Sequence, residues 1–542
     1  MNWNLIIRTY RLIYSCDRKG FLWLLFLSAA SALLPLANLT VLKRLVDIGL
    51  EGNDFRQLML YVVIFSAIFF LSRLVSTCYG ASQDILGQKF ADYTNSLVHA
   101  QSAKMDLAYY DNVENHNKLY RAQQEASLRP LQLLNNSIRF FTSAVSIIGI
   151  VALLAGSSPW AVAVLVITVI PAFFVRLRKS RSLYDFRRDR TVVQRRSAYL
   201  SSLVTNRNYA LEVKARGLSG YFCRKYVEIR QELRGMINRI IRKMTAYDIL
   251  CAVFEAVSVL AVTVILLKGT VSGAYTVGSF VMLFEAFRRG QSNFNELTFS
   301  LAGIYDNLLF LSNLFDFMDI KPEVLSPENP LPFPDEVSDV QFDDVCFSYP
   351  GSDTPVLNHF SLTARKGEIT RIEGPNGFGK TTMVKLLLRL YDPQEGRVLV
   401  NGTDIRKFAL EDLRHRVSAA FQELNIFNFS IRENIELGDL GEGEADEERL
   451  SEALRLSESS AIIDGYPDGL DTMVGREYDN GVVPSMGQKQ RLCLARHLYS
   501  NADIMIFDEP TAWMDAVSRA AFLEHLQELS ANRVVIFISH IQ

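Results

Sequence analysis

One short stretch of the sequence combines glycines, a lysine and hydroxyl side chains in an order suited to binding phosphate groups. Gly374, Gly379, Lys380 and Thr381 fill the pattern G-x-x-x-x-G-K-[ST]. Glycines let backbone N–H groups wrap around phosphate oxygens, the lysine would reach the β- and γ-phosphates, and the threonine hydroxyl would ligate Mg²⁺. We therefore predict a nucleotide site whose loop comprises Gly374, Pro375, Asn376, Gly377, Phe378, Gly379, Lys380, Thr381 and Thr382.

Two acidic residues, Asp508 and Glu509, directly follow the apolar run at residues 504–507. A buried strand that ends in two carboxylates would present both at the edge of a sheet. Asp508 suits Mg²⁺ coordination through water, and Glu509 suits polarising a water molecule that attacks a phosphate. Together with the phosphate loop, this pair predicts hydrolysis of the bound nucleotide.

Both motifs must be positioned by an α/β sheet, and the surrounding sequence has that pattern. Short β-type runs lie at residues 367–373, 397–400, 502–507 and 533–539, and a helical run at 382–391 follows the phosphate loop. Upstream, residues 321–335 contain five of the chain's 16 prolines, which is typical of an extended linker. We predict a proline-rich linker over residues 321–338 and an α/β P-loop NTPase domain over residues 339–542.

Residues 1–320 are predicted to form an all-α polytopic membrane domain. Six apolar segments are candidates for transmembrane helices, since a helix needs about 20 residues to cross a ~30 Å hydrocarbon core. They lie near residues 21–42, 58–75, 140–154, 160–175, 249–267 and 277–301. Long stretches without proline on both sides of each large loop allow helices that extend far into the cytoplasm. We expect these extensions to reverse near residues 112–120 and 206–214.

The near-zero net charge of −2 hides two halves of opposite charge. Residues 1–320 carry 36 Lys/Arg and 22 Asp/Glu, a net +14, whereas the remainder carries 21 and 37, a net −16. Residues 176–243 alone hold 19 Lys/Arg and 5 Asp/Glu, and such an excess marks the cytoplasmic side of a membrane. The asymmetry excludes a uniform globular protein, and the 49% apolar content excludes a disordered chain.

Ionisable residues also occur within the predicted spans. They either line a water-filled pathway or pair with one another, and both interpretations remain open at this point. The residues are Arg73, Glu255, Glu285, Arg288, Arg289 and Glu296. The six cysteines show neither a metal-binding nor a disulfide spacing, and we expect them to be reduced.

These motifs together resemble the ATP-binding cassette (ABC) exporter family, in which a six-helix membrane domain is fused to one nucleotide-binding domain. The resemblance extends over essentially the whole chain, and it implies roles for residues that match the family's motifs. The implied catalytic residues are Glu509, His540, Lys380 and Gln422. The implied nucleotide contacts are Tyr349, the phosphate loop, Ser485, Gly487, Gln488 and Asp515, and the implied Mg²⁺ contacts are Thr381, Gln422 and Asp508.

Two features depart from the family pattern. The signature LSGGQ corresponds here to residues 484–488, where Pro484 and Met486 replace its leucine and its first glycine. Met486 adds a side chain where a backbone approaches the γ-phosphate closely, so either this half-site is weakened or the variation is harmless. The sequence also stops two residues after His540, which predicts a truncated or an unusually short domain.

The resemblance implies an ATP-driven transporter half-subunit that uses ATP and Mg²⁺ and pairs with a second half-transporter, as a homodimer or heterodimer. We expect it in the lipid bilayer of a bacterial inner (cytoplasmic) membrane, with its nucleotide-binding domain in the cytoplasm and no nucleic acid partner. Residues 105–111 and the long gap between Gly475 and Ser485 look like those of lantibiotic exporters, which predicts export of a peptide or other amphipathic substrate. A lipid or drug exporter, a siderophore importer and a weakly hydrolysing regulatory partner remain alternatives.

Overall fold

The structure is a computed structural model of the chain, and it divides into two compact units. The first unit contains described residues from 1–103 and 118–319, and the second contains those from 104–117 and 320–542. The described residues are 3–52, 54–111, 119, 129–156, 158–167, 170–171, 174–175, 178, 191–352, 354–375, 377–441, 446–476, 478, 480–511, 514 and 516–539.

The first unit is built from helices, several of them very long. Helix α1 spans Trp3–Cys16, α2 Arg18–Glu51 and α3 Phe55–Lys104, and the short α4, Leu107–Asp111, falls in the second unit. Next come α5, Arg129–Ala155, a helical stretch at residues 159–167, α6, Thr191–Thr205, and α7, Arg207–Ala215. The unit ends with α8, Ser219–Val271, and α9, Val277–Met318.

Four of the described helices are long and apolar enough to cross a membrane: α2, α3, α5 and α8. They contain the first, second, third and fifth predicted spans. The sixth predicted span lies in α9, which is not among the four and carries Glu285, Arg288 and Arg289 in its first half. Residues 160–175, the fourth predicted span, lie partly outside the described residues. A helical domain of apolar helices is therefore confirmed, whereas the number six is not.

The long helical extensions predicted from the absence of proline are present. Helix α3 runs unbroken for 50 residues, or about 75 Å at ~1.5 Å per residue. The predicted reversal near residues 206–214 coincides with α7, which Asn206 caps by accepting a hydrogen bond from the backbone N–H of Asn208. Gly217, with a φ of 63°, then redirects the chain into α8. Of the other predicted reversal, residues 112–118 and 120 lie outside the described residues.

The second unit contains two four-stranded sheets. Strands β1 (Asp339–Phe347), β2 (Leu357–Arg365), β4 (Glu395–Val400) and β5 (Thr403–Asp404) form an antiparallel sheet in the order β2-β1-β4-β5. Strands β3 (Ile369–Glu373), β6 (Val417–Ala420), β7 (Ile504–Asp508) and β8 (Val534–Ser539) form a parallel sheet in the order β3-β8-β7-β6. This confirms an α/β domain.

Helices connect the strands and cover the parallel sheet. They are α10 (Lys380–Leu387), α11 (Leu410–Arg416), α12 (Ile431–Glu436), α13 (Glu447–Leu456), α14 (Ser460–Asp464), α15 (Met486–Tyr499) and α16 (Ala516–Ser530). Strand β7 is buried at every position, as expected for a parallel strand that is covered on both faces. One core cluster extends from β7 and β8 to α10, and a second extends from the same strands to α15 and α16.

The proline-rich segment packs along the second unit. The backbone N–H of Leu331 donates to the carbonyl of Lys407 at 2.8 Å, and the rings of Phe333 and Phe408 lie 4.9 Å apart. The guanidinium of Arg416 donates to the carbonyl of Asp335 at 2.8 Å. Hydrogen bonds from another part of the chain therefore satisfy backbone groups that a free linker would leave to water.

Candidate nucleotide site

The phosphate loop joins β3 to α10, as the motif requires. Gly377 and Gly379 have φ values of 84° and 82°, which favour glycine, and a Cβ atom at Gly379 would lie 2.5 Å from the Leu357 side chain. The loop folds back on itself, because Lys380 Nζ donates to the carbonyl oxygen of Gly374 at 2.6 Å. The first N–H groups of α10 open onto this loop, which gives it the positive potential of a helix N-terminus.

Two oxygen-bearing side chains from separate motifs meet beside the loop. The hydroxyl of Thr381 donates to the carboxylate of Asp508 at 3.0 Å, although 127 residues separate them in the sequence. Asp508 is buried at the end of β7, and Thr381 stands in the first turn of α10. A hydroxyl and a carboxylate oxygen in contact form the hard donor set that Mg²⁺ prefers, so these two residues fit the predicted metal position.

Glu509 is held in one orientation by its neighbours. Its carboxylate accepts a hydrogen bond from Gln422 Nε2 at 2.9 Å, and its backbone N–H donates to the carbonyl of Ile538 on β8 at 3.1 Å. Glu509 has a φ of 54°, which is uncommon for a residue with a side chain and is often found at functional sites. The structure thus brings Gln422 to Glu509, whereas Thr381 and Asp508 form a separate pair.

Tyr349 belongs to a cluster of aromatic rings that the sequence did not reveal. Its ring meets Tyr391 edge-on at 5.5 Å and Phe347 at 5.1 Å, and Lys385 Nζ lies 5.1 Å from the Tyr349 centroid. The hydroxyls of Tyr349 and Thr382 are hydrogen-bonded at 3.0 Å. The predicted adenine contact is therefore tied to the phosphate loop. Tyr391 and Lys385 were missed because neither stands in a recognisable motif.

Helix α4 also lies against this unit through Tyr391. The Tyr391 hydroxyl donates to the carboxylate of Asp111, and burial together with this carboxylate raises the pKa of Tyr391. At the other end of the segment, Asp106 accepts hydrogen bonds from the backbone N–H groups of Glu323, at 2.5 Å, and Val324, at 3.3 Å. Residues 104–111 therefore belong to the second unit, whereas the sequence analysis assigned all of residues 1–320 to the membrane domain.

The altered signature segment begins α15 with a complete capping box. The hydroxyl of Ser485 accepts from the backbone N–H of Gln488 at 3.3 Å, and Gln488 Oε1 accepts from the backbone N–H of Ser485 at 2.8 Å. Gly487 lies in the first helical turn, and the Met486 side chain is 47% exposed. Pro484 precedes the cap and does not interrupt the helix.

A cavity of about 690 Å³ lies between the Gln422 segment and α15. Its lining includes Gln422, Asp508, Glu509, Met486, Cys493 and His497. Burial raises the pKa of the Cys493 thiol and lowers the pKa of His497 to about 3. His497 was missed by the sequence interpretation, since a histidine in a helix has no distinguishing pattern.

Other predicted site residues complete the loop or fall outside the described residues. The Pro375 carbonyl accepts from the backbone N–H of Phe378 at 3.4 Å, and the Phe378 side chain is exposed. Asn376, Asp515 and His540 lie outside the described residues.

Known proteins share both the fold and the sequence pattern. The family model described as ABC transporter matches residues 357–512. The subtilin transport ATP-binding protein SpaT of Bacillus subtilis is 26% identical over 540 residues, which covers 98% of this chain and 87% of the relative. Residues 357–512 belong to the ABC transporter family. The ATP-dependent lipid A-core flippase of Cupriavidus metallidurans is 29% identical over 383 residues, covering 70% and 63% of the two chains.

A solved structure supports the same architecture for the transporter. The structure of a bacterial Atm1-family ABC exporter with ATP bound superimposes with a TM-score of 0.79 and 23% identity, covering 98% of this chain and 91% of that one. The chain combines apolar helices that are long enough to cross a membrane with one ATP-binding domain, as an integral membrane protein with the fold of that exporter does. It couples ATP hydrolysis to transport.

Proposed function

We propose that two half-transporters associate and enclose each ATP between the phosphate loop of one subunit and residues 484–488 of the other. One chain carries a single phosphate loop and a single signature segment, so a closed symmetric dimer would provide two complete sites. The first turn of α15 presents backbone N–H groups to an anion, in keeping with this role. Asp515 is proposed to lie at the same dimer contact.

Each residue of the site has a chemical role in this proposal. When ATP binds, the Lys380 ammonium leaves the Gly374 carbonyl and donates hydrogen bonds to the phosphates instead. Tyr349 stacks on the adenine. Thr381 and Asp508 would hold Mg²⁺, which would neutralise charge on the β- and γ-phosphates. Glu509 accepts a proton from the attacking water, with Gln422 holding its carboxylate in place and His540 beside the γ-phosphate. The hydrogen bond between Gln422 and Glu509 is the single observation that carries this proposal.

The cargo of the proposed exporter is a peptide or another amphipathic molecule, moved by alternating access through six spans per subunit. The match to a subtilin transport protein over 98% of the chain supports peptide cargo, and a match to a lipid A-core flippase over 95% of the chain supports another amphipathic molecule. The basic extension at residues 176–243 supports a cytoplasmic position for the nucleotide-binding domain of a transporter in a bacterial inner membrane.

The decisive test is Glu509→Gln in the full chain reconstituted in nanodiscs. We expect Mg²⁺-dependent ATP hydrolysis to fall at least about 100-fold, because the variant lacks the general base, while ATP affinity stays within about threefold. Glu524→Gln is the matched control, since Glu524 is an exposed residue of α16. Undiminished hydrolysis by Glu509→Gln would overturn the role given to Glu509.

A weakly hydrolysing regulatory partner is the second candidate function. The observation that favours it is the Ser485–Gln488 capping box, in which both side chains already bond to the helix, with Met486 exposed beside them. If Met486 keeps the γ-phosphate away, Met486→Gly will raise ATP turnover several-fold. Unchanged turnover in this variant would remove that candidate.

A further inference from the structure

Helices α8 and α9 are joined by two polar contacts one turn apart. Gln291 Nε2 donates to the Ser258 hydroxyl at 2.7 Å, and Asn295 Nδ2 donates to the Glu255 carboxylate at 3.1 Å. Gln291 and Ser258 are buried, and Glu255 is half-buried. Glu255 is the only charged residue between positions 249 and 267. Polar contacts of this kind hold helices together in lipid, but an amide does not neutralise a carboxylate.

These contacts lie near one face of the membrane. At ~1.5 Å per residue, Glu255 is about 24 Å along α8 from its last residue, Val271, and Asn295 is about 27 Å from Val277, the first residue of α9. The hydrocarbon core is ~30 Å thick, so both residues lie close to the face remote from that turn. That face leads into the basic segment at residues 176–243, and it is where cargo from the cytoplasm would arrive.

Glu255 differs from the two glutamates of α9 in its partners. Those glutamates, Glu285 and Glu296, each have a guanidinium within 3.6 Å, supplied by Arg288, Arg289 and Arg139. Within the part of the chain that the structure describes, no cation lies within ion-pair distance of Glu255. A carboxylate at membrane depth without a counter-charge is costly, and such residues usually mark a path for ions or substrate.

The exposed faces of the two helices indicate where water would reach. The exposed side chains of α8 at this depth are apolar and suit contact with lipid, as Val253, Phe254 and Val257 do. The exposed face of α9 carries Ser292 and Phe299 near this depth and, about 10 Å from Asn295, Arg288, with 64% of its side chain exposed. A guanidinium exposed inside the span indicates a hydrated interior, so the α9 face that runs from Asn295 to Arg288 suits the wall of an aqueous pathway.

We propose that Glu255, oriented by Asn295, binds an ammonium or guanidinium group of the cargo at the cytoplasmic end of the pathway. The inference rests on the proposed function, in which cargo crosses between two such membrane units. The Arg288, Arg289 and Glu285 group lies about 10 Å farther along α9 and carries one uncompensated positive charge. Electrostatic repulsion there confines a bound cation to the Glu255 level. The site therefore selects cationic amphipathic molecules over neutral ones of the same shape.

The test measures binding to the full chain in nanodiscs with three probes. These are an amphipathic peptide with four lysines, the same peptide with every lysine acetylated, and the lipophilic cation tetraphenylphosphonium. Glu255→Gln removes the charge, Glu255→Asp retains it, and Glu228→Gln is the matched control on the cytoplasmic part of α8. We expect Glu255→Gln to weaken binding of the lysine peptide and tetraphenylphosphonium about tenfold or more, while Glu255→Asp and Glu228→Gln retain most of it.

The outcomes separate the site from the proposed cargo. Loss of tetraphenylphosphonium binding in Glu255→Gln, with neither peptide bound by the wild type, would support the cation site and contradict peptide cargo. Equal binding of the lysine and acetylated peptides to the wild type would overturn the cation site and leave peptide transport standing. Wild-type affinity of Glu255→Gln for both cations would also overturn it.

Discussion

Gln422 and Glu509 lie 87 residues apart in the sequence, and a 2.9 Å hydrogen bond joins the amide of one to the carboxylate of the other. Gln422 follows β6 and Glu509 follows β7, which are neighbours in the parallel sheet. The carboxyl ends of parallel neighbours lie at the same edge, so a movement of the Gln422 segment also moves the carboxylate proposed to activate water.

Removal of the Gln422 amide should slow hydrolysis without abolishing nucleotide binding. In Gln422→Ala the Glu509 carboxylate loses its orienting donor, and we expect kcat for ATP to fall about 10- to 100-fold. The affinity for ATP should change by less than about threefold in an equilibrium binding assay. Gln527→Ala, on the exposed side of α16, is the control. A wild-type kcat in Gln422→Ala would show that Glu509 needs no such partner.

The contact between Asp111 and Tyr391 should couple helix α4 to the nucleotide site. We expect Asp111→Ala and Tyr391→Phe each to reduce the stimulation of ATPase activity by cargo, because each removes the same hydrogen bond. The double variant should be no worse than either single variant, since contacting residues are not additive. Fully additive losses in this cycle would show that the two residues act separately.

The buried His497 should make the nucleotide-binding unit sensitive to acid. Its ring lies edge-on to Phe507 at 4.6 Å and is hydrogen-bonded to Ser418, and burial lowers its pKa to about 3. Because the unfolded chain takes up this proton near pH 6.5, the folded state loses stability as the pH falls below that value, and the loss ends near pH 3. Between pH 7.5 and pH 5 the loss is about 2 kcal/mol.

The His497→Asn variant isolates this effect. It should be less stable than the wild type at pH 7.5, because it loses the packing against Phe507, but its melting temperature should fall less between pH 7.5 and pH 5. Thermal unfolding of the full chain at both pH values measures the difference. A fall in melting temperature equal to that of the wild type would assign the acid sensitivity to other groups.

Arg416 should fasten the proline-rich segment to the parallel sheet. Its guanidinium pairs with Asp503, just before β7, and donates to the carbonyls of Pro334 and Asp335. We expect Arg416→Ala to lower the free energy of unfolding by about 1–3 kcal/mol, because it leaves the half-buried Asp503 carboxylate and Pro334 carbonyl without their donor. It should also speed proteolytic cleavage within residues 321–338.

Arg397→Ala provides the control for that prediction. Arg397 pairs with Asp343 at 3.0 Å, but both side chains are about half exposed, and such surface pairs contribute little. We expect less than about 0.5 kcal/mol from this variant and no change in cleavage. Equal destabilisation by the two substitutions would show that the Arg416 contacts contribute no more stability than an exposed surface pair.

The amino-acid sequence by itself determined the type of each domain and the chemistry of the phosphate loop. Glycines, a lysine and a threonine at short spacing specify a phosphate cradle locally, and an apolar run predicts the strand that ends at Asp508. Together with the phosphate loop, the two carboxylates at the end of this strand predicted hydrolysis of a bound nucleotide. The unbroken length of α3 followed from the absence of proline.

Only the tertiary structure decided which side chains meet across long separations. Asp111 with Tyr391, Asn295 with Glu255 and Arg416 with the proline-rich segment are contacts between elements whose relative register no local pattern encodes. The structure also decided that residues 104–111 belong with the nucleotide-binding unit. Local propensity and spacing act within a few residues, whereas these contacts depend on packing of whole helices and strands, which the folded chain alone establishes.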